Sequence, residues 1–317
     1  MVSLGSNTVS VIDGATCNAA VTSGCAHTPP AITVGGGPNG VTVDQATDTV
    51  YVANDGPGDD NSGHTVSVIN GATCNGQVTS GCGQTPTTVQ VGTAPEVPAV
   101  DQGTDTVYVP NANPGGASSV SVIDGKTCNA TVRTGCGQIP PEIPVGASPL
   151  AAAVDQGTDT VYVPTGPEGP ATNLGSVYVI NGSTCNAAVT AGCGQSAPTV
   201  TVGSVPIGVV VDPVTHSVFV LNGEDSTVSV IDGAICNAAR TAGCSQRPPE
   251  LATGFFPGYL AASCSSCIIS DTIDAVQEED SIWPEEDLTH RGLRGLNWSA
   301  FSNQQRGSKR SFPTPYW

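Results

Sequence analysis

A unit of 51 to 57 residues recurs along this chain, and its internal spacing does more than any other feature to limit how the chain can fold. Residues 100–136, VDQGTDTVYVPNANPGGASSVSVIDGKTCNATVRTGC, show the unit, and four more copies, whole or partial, lay over it. From the first cysteine of a copy to the Asp that ends the next apolar run the distance is always 27: Cys17 to Asp44, Cys74 to Asp101, Cys128 to Asp155, Cys185 to Asp212. From that Asp to an aromatic residue it is always 7, reaching Tyr51, Tyr108, Tyr162 and Phe219. Length varies in one place only: Tyr51 to Ile69 is 18, Tyr108 to Ile123 is 15, Tyr162 to Ile180 is 18 and Phe219 to Ile231 is 12.

Each copy reads as four short strands, labelled A to D. Strand A is a nearly all-apolar run ending in Asp (40–44, 97–101, 151–155, 208–212), a pattern expected of a strand buried on both faces. A tight Asp/Gly turn leads to strand B (49–54, 106–111, 160–165, 217–222), and turn chemistry accounts for those Asp and Gly residues. Strand C alternates polar and apolar as NTVSVID at 7–13, HTVSVIN at 64–70, SSVSVID at 118–124, GSVYVIN from Gly175 and STVSVID at 226–232. A loop with two cysteines follows, then strand D (31–34, 87–91, 142–145, 199–202).

Four short strands per repeat is the period of a propeller blade, an antiparallel sheet that must stack on its neighbours to bury its faces. The expected fold is all-β: a β-propeller of four-stranded antiparallel blades, four complete blades plus a split or partial fifth, followed by a poorly ordered tail. The runs Tyr51-Val52-Ala53-Asn54, Tyr108-Val109-Pro110-Asn111, Tyr162-Val163-Pro164-Thr165 and Phe219-Val220-Leu221-Asn222, each followed by a copy of TVSVID, resemble the YVTN-type β-propeller repeat family. That resemblance covers about residues 7 to 250 and implies an exported or surface-layer protein of bacteria or archaea; the cysteine loop is an addition to the family's minimal repeat.

The repeats occupy 1–263, with complete blades at about 38–92, 95–146, 149–203 and 206–252 and an N-terminal half blade at 7–35. Two closures stay open. Residues 256–263 and 267–270 would supply degenerate A and B strands completing a five-bladed ring with the N-terminal C and D; otherwise the molecule is an arc cut from a six- to eight-bladed parent. Residues 264–317 hold all three Trp and five of the nine basic residues; they form a non-repeat tail, helical in spacing over 271–287 and disordered toward the end, either a genuine extension or the product of a shifted reading frame.

Ten of the twelve cysteines form five C-x7-C pairs: Cys17 with Cys25, Cys74 with Cys82, Cys128 with Cys136, Cys185 with Cys193, and Cys236 with Cys244. Zinc needs four ligands close together, and His is absent from these loops apart from His27, so local disulfides are the reading. Each closes a loop worth about 2.5 kcal/mol on the chain-entropy model. Five of them point to an oxidising compartment, extracellular or at the cell surface, although residues 1–4 carry no signal-peptide pattern. Cys264 and Cys267 form a CxxC without the βαβ context of a redox motif.

The net charge is -18, with 4 Lys and Arg against 19 Asp and Glu in residues 1–250. A surface so poor in cations disfavours nucleic acid and anionic membrane as partners, and no apolar run is long enough to span a bilayer. No triad, phosphate loop, cofactor motif or metal-ligand spacing is present, and no cofactor or metal is expected. In a blade wound outward from the axis the B–C and D–A loops share one face of the disc, and loops that vary on a rigid scaffold are where recognition resides. Asn39, Glu96, Leu150 and Ile207 occupy matching D–A positions, of which only Glu96 ionises. The binding residues expected there are Asn39, Asp55, Asp59, Asp60, His64, Glu96, Asn111, Asn113, Glu168, Asn173, Glu224 and Asp225. Residues 55–61 carry oxygen ligands, but a solvated Asp/Gly turn explains them without Ca²⁺. Asn129, Asn181 and Asn297 fit the glycosylation sequon.

The reading that follows is a non-catalytic binding scaffold for a protein or glycan. Its alternatives are a propeller enzyme of lyase or lactonase type, which would need a channel cluster of His, Glu and Arg that is missing here, or a fragment of a larger propeller without independent function.

Overall fold

The computed structural model describes residues 1–56, 62–167, 173–194 and 196–254, with the backbone of two further strands at 257–261 and 274–277. The described residues form strands joined by turns, with single 3-10 turns at Leu4–Ser6 and Ala242–Ser245. The first sheet has three strands, β1 (Val2–Ser3), β2 (Thr8–Ser10) and β3 (Ala31–Thr33), in the order β1-β2-β3. Four four-stranded antiparallel sheets follow, each in sequence order: β4 (Pro38–Asp44) to β5 (Thr49–Asn54), β6 (Thr65–Asn70) and β7 (Thr87–Gln90); then β8 (Ala99–Asp101), β9 (Thr106–Asn111), β10 (Ser119–Asp124) and β11 (Glu142–Pro144). The third comprises β12 (Ala153–Asp155), β13 (Thr160–Thr165), β14 (Leu174–Asn181) and β15 (Thr199–Ser204), and the fourth β16 (Pro206–Asp212), β17 (Ser217–Asn222), β18 (Thr227–Asp232) and β19 (Glu250–Ala252). A two-stranded sheet, β20 (Pro257–Ala261) with β21 (Asp274–Gln277), ends the series.

Equal spacing becomes equal register. Thr49 pairs with Asn70, Thr106 with Asp124, Thr160 with Asn181 and Ser217 with Asp232, so every blade turns the same side chains to the same face. Strand B is the most buried: every residue of β9 and β13 is buried, because each face of a middle strand meets a neighbouring blade. The four apolar clusters lie between blades and not within them. One joins Val9 and Ile32 to Val52 and Ile69, and another joins Tyr51, Val66 and Val68 to Val107, Val109 and Ile123. Inner strands lie side by side in chain order, with Val97 of the second blade in a parallel bridge to Ala151 of the third. The fold is that of a β-propeller.

Three expectations need correcting. The N-terminal half blade includes the end of a strand B: β1 pairs with β2 through Val2 and Val9, as Leu221 pairs with Val228 in the fourth blade. Strand A is not buried on both faces: in the first blade Val41 is 36% and Val43 46% exposed, and although the residues matching Val41 (Pro98, Ala152 and Val209) are buried, of those matching Val43 only Val100 is buried while Val154 and Val211 are half-buried. Among the described residues no inner strand of the N-terminal sheet lies beside β4. Within the stretch expected to be helical, residues 274–277 are a strand, whose main chain pairs the open edge of β20. Of the two closures left open, the described strands do not form the five-bladed one, since β20 has β21 as its partner and β2 has β1. Residues 267–270, most of 278–317, Cys264 and Cys267 lie outside the described residues.

Candidate functional site

The two faces of the disc are built differently. On the face of the A–B and C–D connections, all five cysteine pairs are disulfides with Cα atoms 4.8 Å apart. Inside each loop an Asn braces the turn. Asn129 is 4% exposed; its Nδ2 donates to Gly125 O at 2.7 Å, while its Oδ1 accepts the N–H groups of Thr131 and Val132. Asn75, Asn186 and Asn237 repeat the arrangement. Asn129 is therefore closed to glycan transfer, and Asn181 holds Ser183 through its Oδ1; Asn297 lies outside the described residues.

The last three of the five loops are also tied to the blade before them. Tyr51 Oη donates to Cys128 O at 2.7 Å, Tyr108 Oη to Cys185 O at 2.7 Å and Tyr162 Oη to Cys236 O at 2.8 Å. Beside them the hydroxyls of Thr49, Thr106 and Thr160 accept the N–H groups of Ala130, Ala187 and Ala238. The Gly after strand C leaves room for the phenol: a Cβ at Gly233 would lie 3.0 Å from Tyr162 Oη. Burial first, then the nearby carboxylates of Asp44, Asp101 and Asp155, hold the three phenols well above the ordinary tyrosine range. The fourth blade has Phe219 here, and no sixth cysteine pair follows it in the chain. A second clamp joins inner strands: Gln102 Nε2 donates to Val43 O at 2.9 Å while its Oε1 accepts Gln45 N–H, and Gln156 does the same to Val100 O and Gln102 N–H. Where Pro213 replaces that Gln, His216 reaches back instead, its Nδ1 lying 2.8 Å from buried Asp155 Oδ2.

The opposite face carries the B–C and D–A loops, and it is held to the blades by a buried amide. Asn54 Nδ2 donates to Thr65 and Ser67 hydroxyls, Asn111 to Ser119 and Ser121, and Asn222 to Thr227 and Ser229. Asn111, expected as a binding residue, is fully buried in this arrangement and is structural. The D–A crossovers turn through left-handed residues, Gly37 (φ 60), Ala94 (φ 55), Ser148 (φ 51) and Val205 (φ 49), each followed by Pro. A Cβ at Gly37 would meet Gly56 O at 1.9 Å, so only glycine fits that approach.

Of the remaining expected residues, the fold brings Asn39 and Glu96 together, the Asn39 amide donating to the Glu96 carboxylate, which is 8% exposed. Asp55 is 7% exposed, and its N–H donates to Gly37 O. His64, Asn173 and Glu224 are exposed; Asn113 is half-buried and donates to Ala117 O; Asp225 accepts the Ser204 N–H at 2.5 Å. Asp59, Asp60 and Glu168 lie outside the described residues. Among the described residues no group of three or more His, Cys, Asp or Glu is placed to hold a metal. Two shallow depressions, of about 130 and 140 Å³, lie beside the cysteine loops near Ile143 and Ala238 and near Ile139 and Thr190. Both are well below the roughly 300 Å³ of a small-molecule pocket. Sequence reasoning placed no weight on this face; the tyrosine ties would have been found by asking why the aromatic is Tyr in three copies and Phe in the fourth.

No protein-family model and no curated protein matches the chain. Among solved structures it is similar to the hydrazine synthase of Kuenenia stuttgartiensis (13% identity, TM-score 0.51, covering 73% of this chain and 66% of that one). It is also similar to a functionally unknown protein from Desulfotomaculum acetoxidans DSM 771 (12% identity, TM-score 0.53, 83% and 68%). This chain thus spans just under two thirds of the hydrazine synthase chain. Likeness at this identity speaks for the propeller fold alone.

Proposed function

We propose that this chain is a non-catalytic, exported β-propeller of the YVTN-repeat type that binds a protein or glycan through its B–C and D–A loop face, outside the cell or at its surface. The observation that carries the reading is the asymmetry between the two faces. One is made of near-identical loops, each closed by its own disulfide and three of the five bound to the blade before them. The other holds every length change in the repeat, 12 to 18 residues between the aromatic of strand B and the Ile of strand C, above a buried Asn in three of the four complete blades and Thr165 in the third. The five disulfides support an oxidising environment, and the acidic surface supports a partner that is not a polyanion.

The test exchanges all B–C loops for the shortest one, that between β17 and β18, and screens native and exchanged proteins by pull-down from extracellular fractions and on a glycan array. Interactions seen with the native chain and lost on exchange support the reading. Interactions unchanged by the exchange, or turnover of a lactone or polyuronide substrate that Glu96→Gln abolishes, would overturn it.

A further inference from the structure

The junction of the third and fourth blades lacks an amide that the two junctions before it possess. In the first blade the Val43 carbonyl and the Gln45 N–H, on either side of Asp44, are held by one side chain: Gln102 Nε2 donates to the carbonyl at 2.9 Å and its Oε1 accepts the N–H at 3.0 Å. In the second blade Gln156 holds Val100 O and the Gln102 N–H at the same two distances. A carboxylate could not donate to the carbonyl and an ammonium could not accept from the N–H, whereas a primary carboxamide does both. The third blade repeats this pair of main-chain groups. Val43 pairs with Val50, Val100 with Val107 and Val154 with Val161, so the Val154 carbonyl turns away from strand B as the other two do, with the Gln156 N–H two residues on. The residue after Asp212 is Pro213, which carries no amide side chain, and no residue of the fourth blade bonds to either group.

The surroundings of this pair are fixed in place. Asp155, between the two groups, is fully buried; its Oδ1 accepts the Gly157 N–H at 3.0 Å and its Oδ2 lies 2.8 Å from His216 Nδ1. A Cβ at Gly157 would lie 2.7 Å from His216 Cε1, so the imidazole covers Gly157, the residue next along the chain from Gln156. We propose that the Val154 carbonyl and the Gln156 N–H bind a primary carboxamide, that of a Gln or Asn side chain on a partner polypeptide. The chemistry of the ligand is read from the molecule itself, which fills the same pair of groups with a Gln carboxamide in both earlier blades. Strand register holds the donor and the acceptor ready, so little ordering opposes binding. The site lies beside the A–B turns, on the disulfide face, and does not depend on what the B–C and D–A loops recognise.

The measurement is amide NMR of the oxidised, nitrogen-15-labelled full chain, with N-acetylglutamine methylamide as the probe and its methionine counterpart as the control. The Gln156 N–H should shift with the glutamine probe and approach saturation below about 1 M, with a response at least about threefold smaller to the methionine compound. Pro213→Gln supplies the missing amide from the fourth blade, so it should abolish the response and slow hydrogen exchange of the Gln156 N–H by about tenfold or more. Gln102→Ala opens the equivalent pair in the first blade, so the Gln45 N–H should gain the response that it lacks in the native chain. Both variants should keep the native circular dichroism spectrum. A Gln156 N–H that does not shift overturns the proposal, as does one that still responds in Pro213→Gln. Equal shifts with both compounds would assign the pair to an extended main chain and not to a carboxamide. Native protection of the Gln156 N–H equal to that of the Gln45 and Gln102 N–H groups would mean that the chain fills the pair itself, and would also overturn it.

Discussion

Changing Tyr108 to Phe removes one oxygen atom from the interior and leaves everything else in place. The ring is fully buried and remains so, so the apolar contribution is unchanged. What is lost is the 2.7 Å bond from the phenol to the Cys185 carbonyl, which then sits between two blades without that donor. A buried polar group stripped of its partner costs about 1–3 kcal/mol, more than the roughly 1 kcal/mol net value of an ordinary hydrogen bond. For a protein of this size the loss lowers the melting temperature by about 2–4 °C per kcal/mol. Urea unfolding of the oxidised protein should show a reduced midpoint with the slope unchanged. The informative partner is Phe219→Tyr, which adds the same hydroxyl where no cysteine loop follows, and should stabilise by less than about 0.5 kcal/mol. If Tyr108→Phe is neutral, or Phe219→Tyr gains as much as Tyr108→Phe loses, the tie between blades is not what the tyrosine is for.

The three raised phenols make stability fall at alkaline pH. A tyrosine whose folded pKa lies above its unfolded value contributes fully below about pH 10 and loses that contribution as pH rises beyond it, by about 1.4 kcal/mol per pH unit for each residue. Absorbance titration at alkaline pH should find three phenols that ionise only as the protein unfolds, and each Tyr→Phe variant at 51, 108 or 162 should remove one. Val205 is a β-branched residue at φ 49, a conformation that costs on the order of 1 kcal/mol or more, so Val205→Gly should hold or raise the melting temperature even though glycine loosens the unfolded chain, whereas Val205→Ile should not. Expressed through a eukaryotic secretory route, the folded chain should carry no glycan at Asn129, and peptide mass spectrometry showing high occupancy there would contradict its bracing role in the loop.

Much of this architecture was legible because fixed spacing in a repeat is fixed register in space. The distance of 27 from cysteine to Asp, and of 7 from Asp to aromatic, placed strands A and B of every blade within a residue or two of where they lie. Less legible was whatever depends on the neighbouring blade. Val43 reads like Val100, yet it is exposed where Val100 is buried, because exposure is set by the sheet alongside and not by the strand it sits on. Asn111, at the end of strand B, reads as a binding residue, but the hydroxyls of Ser119 and Ser121, brought across by strand pairing, draw its amide into the interior. Gln102 and His216 each join blades over more than 50 residues of sequence, a relation that no local pattern contains. At the site, the pairing of Asn39 with Glu96 was signalled only by their matching positions in successive repeats.

Central to this account is that each repeat is a self-contained blade clamped by its own disulfide in an oxidising compartment. Peptide mapping of the protein, isolated without reductant and digested under non-reducing conditions, tests it most directly. The account predicts five links, each joining cysteines 8 apart, from Cys17 with Cys25 through Cys236 with Cys244. Free thiols at these positions in the native protein, or links running from one repeat to another, would contradict it.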